Sequence, residues 1–393
     1  MKRTTFLIVA LTVLLVASIL VALSLSLQRD RLEALAVARA GSAPAPVGVA
    51  PSGAVSRPFG VPTRAGGIAR TTSAPAMAAG TMPATGTRPF ASEPMAHDPV
   101  MIKEGDYYYV FYTGGLINVL RSRDLTRWDR PVSALGQVPT WVRAEFPDTR
   151  ANLWAPDISF YQGKYLLYYG ASVFGSRNSG IGLMTNKTLD ATSKDFAWED
   201  GGLIVRTHDT DDYNAIDPNF VVDEKGQPWL SFGSFWSGIK LLKLNQDGKP
   251  DEKDQTLYAI AARKPPETAI EAPFIIREGR FYYLFVSWDQ CCQGVRSTYR
   301  IMVGRATKIT GPYVDKEGVD MLQGGATQLL AGDGQRLRGP GHEGLFKDGD
   351  HWLMVHHFYD GNSTNGTARL QVRPLTFDAA GWPVVGKAIN SPN

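Results

Sequence analysis

The chain has 393 residues, with 41 Lys/Arg against 38 Asp/Glu and a formal charge of +3. The first 95 residues carry nine Lys/Arg and three Asp/Glu, which leaves residues 96–393 at −3. That balance excludes a nucleic-acid surface, which needs a basic patch on the folded part, and all nine Trp fall between Trp128 and Trp382, marking the later segment as the part able to build a large core.

Lys2 and Arg3 precede an uncharged apolar run from Phe6 to Leu27, and Arg29, Asp30 and Arg31 follow it. The run exceeds the apolar region of about 7–15 residues in a secretory signal. At 22 residues it is long enough to cross a bilayer as a hydrophobic helix. Residues 1–28 are expected to be a signal peptide or a signal-anchor helix, and small residues from Ala34 to Ala40 offer cleavage sites. In both cases the basic residues stay inside and the remainder is exported, to the periplasm or the cell exterior. An uncleaved helix would tether the protein to the membrane through residues 6–27. Residues 29–95 are dominated by Ala, Pro, Gly, Thr and Ser with almost no aromatics, a composition that cannot bury enough apolar surface to fold and reads as a disordered linker. The folded domain is expected over residues 96–393.

Within that domain one layout occurs five times: a polar residue beside Pro or Gly, an apolar strand, a Gly turn and a second, aromatic-rich strand. The units open at His97-Asp98-Pro99, Ala155-Pro156-Asp157, Ile216-Asp217-Pro218, Glu271-Ala272-Pro273 and Gly341-His342-Glu343, with turns at Gly105, Gly163, Gly226, Gly279 and Gly349. Aligned on Asp98, Asp157, Asp217, Glu271 and His342, the units are 59, 60, 54 and 71 residues apart. Each interval has room for a four-stranded sheet, and radial repetition of five such sheets predicts an all-β, five-bladed β-propeller. A β-sandwich would not explain five equivalent units, and a β-helix would repeat at a shorter period. Cys291 and Cys292 are adjacent, so they form either a vicinal disulfide or two thiols, and no ordinary disulfide framework exists.

The shared slot opens the innermost strand of every blade and is expected to face one end of the central channel. Like charges gathered there push one another's pKa values apart, so four acids at one mouth point to function. For Asp157 alone, beside Trp154, Ala155 and Pro156, a packing role is equally expected. Carboxylates of unequal pKa among aromatics suit glycoside hydrolysis, in which one acid protonates the leaving oxygen and one carboxylate activates water or attacks the sugar. Trp154, Phe174, Phe235 and Trp236 are candidates to stack on sugar rings, although aromatics in strands are usually core.

At these residues a resemblance becomes specific. His97-Asp98-Pro99, NLWAPDISFYQGKYLLYYGAS (152–172), AIDPNFVVDEKGQPWLSFGSFWSGI (215–239), the segment 270–306 with its double Cys, TGPYVDKEG (310–318) and GPGHEGLF (339–346) resemble the endo-1,5-α-L-arabinanases of glycoside hydrolase family 43. The resemblance covers 96–393 and implies a five-bladed propeller that works with inversion on arabinan, as a monomer with a polysaccharide partner. It implies Asp98 as the general base, Glu271 as the general acid, and Asp217 as the residue that raises and orients the acid. Asp157 falls outside that trio. Phe174-Gly175-Ser176 and Phe235-Trp236-Ser237 resemble segments lining the sugar subsites, and Ile216 joins that set beside Asp217. His342 would point to a calcium ion held mostly by water in the channel. From the residues alone, a single His is a poor site for a hard cation, which prefers oxygen ligands, and a His bonded to the acids is the plainer reading.

Two other readings compete: an exo-acting α-L-arabinofuranosidase or β-xylosidase with the same trio, and a non-catalytic sugar-binding propeller, which would not need a complete acid set. A fructan-type propeller would carry Asn-Asp-Pro-Asn-Gly near the first unit, and that motif is absent.

Overall fold

Among the described residues twenty strands form five sheets, each of four consecutive antiparallel strands. In a computed structural model the described residues are 92–147 and 152–391, so the apolar N-terminal run and nearly all of the expected linker lie outside them. Among the described residues no helix is long and apolar enough to cross a membrane. The first blade contains β1 (Val100–Glu104), β2 (Tyr107–Tyr112), β3 (Asn118–Ser122) and β4 (Val132–Ser133). The other four begin with inner strands β5 (Trp154–Tyr161), β9 (Asn219–Val222), β13 (Ile270–Glu278) and β17 (Leu337–Asp348), each followed by its three partners in order. The five predicted Gly turns close the first hairpin of each blade, with φ of 56°, 76°, 78°, 58° and 60°. A Cβ at any of the five would meet no atom within 4 Å, so glycine serves there for its backbone freedom, not for space.

The side-chain alternation of a strand explains the packing. Successive residues of each second strand point to opposite neighbours. In β2, Tyr109 and Phe111 enter a core shared with the second blade, while Tyr108, Val110 and Tyr112 enter one shared with the fifth. Tyr168 and Tyr169 split in the same way between the third and first blades. Tyr282 and Leu284 pack toward the third blade, and Tyr283 and Phe285 toward the fifth. The result is five inter-blade cores, one at each junction of the ring.

The ring closes by packing of β1 against β17 and by a short added segment. Met95 bridges Arg369 in the fifth blade, the Leu370 amide donates to the Pro94 carbonyl at 2.9 Å, and Asn390 Nδ2 donates to the Ser92 carbonyl at 2.8 Å. The start of the described chain is thereby laid on the last blade. Among the described residues one short α-helix, α1 (Thr140–Glu145), interrupts the strands, and its Trp141 donates to the Tyr169 hydroxyl at 2.8 Å.

Candidate active site

The chain is kinked within or just before each inner strand at one non-glycine residue with positive φ: Asp98 (50°), Ala155 (43°), Asp217 (54°), Ala272 (54°) and His342 (52°). Such conformations cost about 1–3 kcal/mol each and concentrate at functional sites. In blades one to four the kinked residue is the one before Pro99, Pro156, Pro218 or Pro273. The repeat is therefore in register on its prolines, which corrects the alignment on acids. Glu271 stands one residue before its kink, and Asp157 two residues after its own.

This shift decides which acids meet. A cavity of about 650 Å³ opens at the start of the inner strands, and a second of about 490 Å³ lies at their far ends, lined by residues such as Lys103, Phe160, Arg277 and Trp352. The first is walled by the kink residues Asp98, Asp217 and His342 and by the residues preceding four kinks, His97, Trp154, Ile216 and Glu271. Phe174, Gly175, Phe235 and Trp236 line it as expected. Phe174 is 79% exposed, and Phe235 and Trp236 both have positive φ, so the loop turns its two rings out. Ser237, also expected there, does not line the cavity. Its amide donates to the Asp212 carbonyl and its carbonyl accepts from Lys240 Nζ, because the chain after the strained aromatic pair folds back into the loop's base.

Asp157 is also absent from the cavity wall. It is 2% exposed, and its carboxylate accepts the Phe220 amide at 2.9 Å and Asn219 Nδ2 at 3.2 Å. Asn219 holds the same place after its own kink and accepts the Ile275 amide at 2.8 Å. These two side chains tie each inner strand to the next blade. Burial pushes the Asp157 carboxyl up to about 7 against those two hydrogen bonds.

The acids on the wall share deep burial and differ in neighbours. Burial opposes ionisation of Asp98, but the charges and hydrogen bonds of His97 and His342 hold it well below the usual carboxylate range. His97 Nδ1 lies 2.8 Å and His342 Nδ1 3.1 Å from Oδ1, and Thr113 Oγ1 donates to Oδ2 at 2.5 Å. Glu271 is raised well above its ordinary value by burial and by the negative charge of Asp217, with His342 opposing. Asp217 is raised to about 6, chiefly by burial and against the pull of His342, and its Oδ2 accepts the amide of Ala272, the residue next to Glu271. Burial alone would lower His342, but the Asp98 carboxylate, with Asp217 and Glu271 behind it, holds the imidazole up at about 9.

Two features were not singled out from the sequence. Thr113 reaches Asp98 from the second strand of its blade and accepts the Ala155 amide at 2.7 Å. His357 Nδ1, from the last blade, accepts the Asp98 amide at 3.1 Å and is fully buried. Of the two states left open for Cys291 and Cys292, the structure has the vicinal disulfide, and it lies on the cavity wall. His97, Asp98 and His357 bring ligand-type atoms within 4.8 Å of one another. His97 Nε2 pairs with the Tyr359 hydroxyl, His97 Nδ1 with Asp98, and His357 Nδ1 with the Asp98 amide, so the trio is joined by hydrogen bonds, while His357 Nε2 is buried without a partner among the described residues. Of the residues in this cluster, His97 was marked in the sequence by its His-Asp-Pro motif, whereas Thr113 and His357 carried no such signal.

A cavity holding one carboxyl biased toward its ionised form and another biased toward its protonated form is equipped for acid and base work on one substrate. The sequence pattern of the glycosyl hydrolases family 43 matches residues 87–383. The chain belongs to glycoside hydrolase family 43. An extracellular endo-α-(1→5)-L-arabinanase from Bacillus subtilis (strain 168) is 44% identical over 298 residues, 75% of this chain and 88% of that protein. An extracellular exo-α-(1→5)-L-arabinofuranosidase from Cellvibrio japonicus (strain Ueda107) is 42% identical over 300 residues, 74% of this chain and 86% of the relative. Among solved structures, an α-L-arabinanase from Cellvibrio cellulosa complexed with arabinohexaose superposes with a TM-score of 0.72 at 41% identity, covering 75% of this chain and 96% of that one. As a member of family 43, the protein is a glycoside hydrolase.

Proposed function

We propose that this hydrolase cleaves internal α-1,5-L-arabinofuranosidic bonds of arabinan with inversion of configuration. The observation that carries this reading is the opposite bias on Asp98 and Glu271 within one cavity. Asp98, kept ionised, takes a proton from water as the water oxygen bonds to the anomeric carbon. Glu271, kept protonated, gives its proton to the glycosidic oxygen as the bond to that carbon breaks. Asp98 has room for this, because the three donors at its oxygens leave capacity among the roughly four lone-pair sites of a carboxylate. Asp217 raises the acid by its charge and fixes the adjoining backbone through the Ala272 amide. Trp154, Ile216, Phe174, Phe235 and Trp236 supply apolar faces for furanose rings.

The name of the 44%-identical endo-acting relative supports the endo mode. Size analysis of products from linear arabinan tests it: mixed oligomers with early viscosity loss are expected, and arabinose alone from the outset would indicate the exo mode named for the other relative. Both relatives are named as extracellular, which supports export of this chain; its monomeric state, and its tethering by residues 6–27 or release by cleavage, remain proposals from the sequence.

A calcium ion at His342 remains part of the proposal in a restricted form. His342 commits Nδ1 to Asp98, and the oxygens nearby belong to the acids of the reaction, so a hard cation would draw most of its ligands from water. When bound it would add positive charge beside the acids; His342 and Asp98 would hold it in place.

A further inference from the structure

Asp98 is backed by a relay of hydrogen bonds that begins at the cavity wall. The Cys292 amide donates to the Tyr359 oxygen at 2.7 Å, Tyr359 and His97 Nε2 are 2.8 Å apart, and His97 Nδ1 is 2.8 Å from Asp98 Oδ1. The directions follow from the last acceptor. An ionised carboxylate can only accept, so His97 Nδ1 donates to Asp98 and Nε2 is left to accept the Tyr359 phenol proton, while the Cys292 amide donates to the phenol oxygen. That fixes His97 as the Nδ1–H tautomer, the form that donates to Asp98. The opposite tautomer would aim a lone pair at the carboxylate. The ring cannot swing away, because it stacks on buried His357 at 4.0 Å and 21°, and Tyr359 stands edge-on to His357 at 5.2 Å. Both ends of the relay sit in left-handed backbone, Asp98 at φ 50° and Cys292 at φ 65°.

We infer that Tyr359 and His97 are positioning residues for the base, and that the Cys291–Cys292 disulfide is their anchor, holding the Cys292 amide on Tyr359. The inference rests on the assignment of Asp98 as base. The disulfide lies on the wall that faces substrate, so the segment that meets the sugar also fixes the tautomer behind the base.

The experiment measures kcat and KM on linear arabinan for Tyr359→Phe, His97→Ala, His97→Asn and the Tyr359→Phe/His97→Asn pair, with Asp98→Ala as reference and thermal melting as a check on folding. Tyr359→Phe is expected to lower kcat about tenfold with KM within about twofold, a part of the 10²–10⁴ that a general base supplies. His97→Ala should lose more. His97→Asn should recover most of that loss, since the Asn amide offers an N–H in place of Nδ1–H and has no tautomer to set. In the His97→Asn background, Tyr359→Phe should then cost nothing further. Dithiothreitol should lower the kcat of the unmodified protein and leave that of Tyr359→Phe unchanged. Full kcat in Tyr359→Phe, losses that multiply in the pair, or equal sensitivity to dithiothreitol with and without the Tyr359 hydroxyl would overturn the relay. If Asp98→Ala were active, the base assignment itself would fail; an inactive Asp98→Ala beside a fully active Tyr359→Phe would remove the relay alone.

Discussion

Asp98 on the first blade and Glu271 on the fourth are buried to the same degree, each 9% exposed, yet they are pushed in opposite directions. Burial raises both. Asp98 overcomes it because two imidazoles and a hydroxyl converge on its oxygens. Glu271 has the negative charge of Asp217 beside it, and burial and repulsion act together. The contrast teaches that neighbours, not depth, divide the labour between two carboxyls in one cavity.

The sharpest way to break the comparison is to remove either carboxyl. Asp98→Ala should lower kcat on arabinan by about 10³-fold or more, since a misplaced water has no other base. Glu271→Ala should cost a comparable or somewhat smaller factor, about 10²–10³, and full activity in a steady-state assay would overturn its role as acid. Asp217→Asn sharpens the contrast. Activity should follow a bell, rising as Asp98 loses its proton and falling as Glu271 loses its own. Without the Asp217 charge the Glu271 carboxyl ionises more easily, so the alkaline limb should move to lower pH while kcat drops about tenfold. An unmoved limb would mean that Asp217 acts only through the Ala272 amide. The smallest effect on chemistry belongs to Asp157→Ala. It leaves the Phe220 amide and Asn219 without their acceptor and should cost about 1–3 kcal/mol of stability in chemical denaturation, with activity per folded molecule retained.

The propeller was legible because its cause is periodic. Five Gly turns and five aromatic second strands recur in the sequence, and their alternation writes the inter-blade cores directly. Asp98, Asp217, Glu271, Trp154, Ile216, Phe174, Phe235, Trp236 and His342 all reach one cavity. Register was the weak point. Aligning the units on acids put Asp157 in the same mouth-facing slot as Asp98 and Asp217, whereas the prolines mark the kinks that direct the side chains. Aligned on proline, the sequence separates Asp157 from Asp217 and sets Glu271 beside Trp154 and His97. Ser237 shows the complementary failure, since a loop segment can resemble a subsite while its last residue turns inward. His357 and Tyr359 had no local signature, because their contacts with the Asp98 amide and His97 span 259 and 262 residues and exist only once the ring has closed, and Thr113, 15 residues from Asp98, meets it only through the pairing of the first hairpin.

The division of labour between Asp98 and Glu271 is tested most directly with an arabinotriose carrying a dinitrophenyl leaving group. That group departs without protonation, so an enzyme lacking its acid should recover on this substrate while one lacking its base should not. The account predicts that Glu271→Ala, impaired on arabinan, turns over the activated substrate at close to the unmodified rate, and that Asp98→Ala fails on both. Equal losses for the two variants on the activated substrate, or recovery by Asp98→Ala instead, would contradict it.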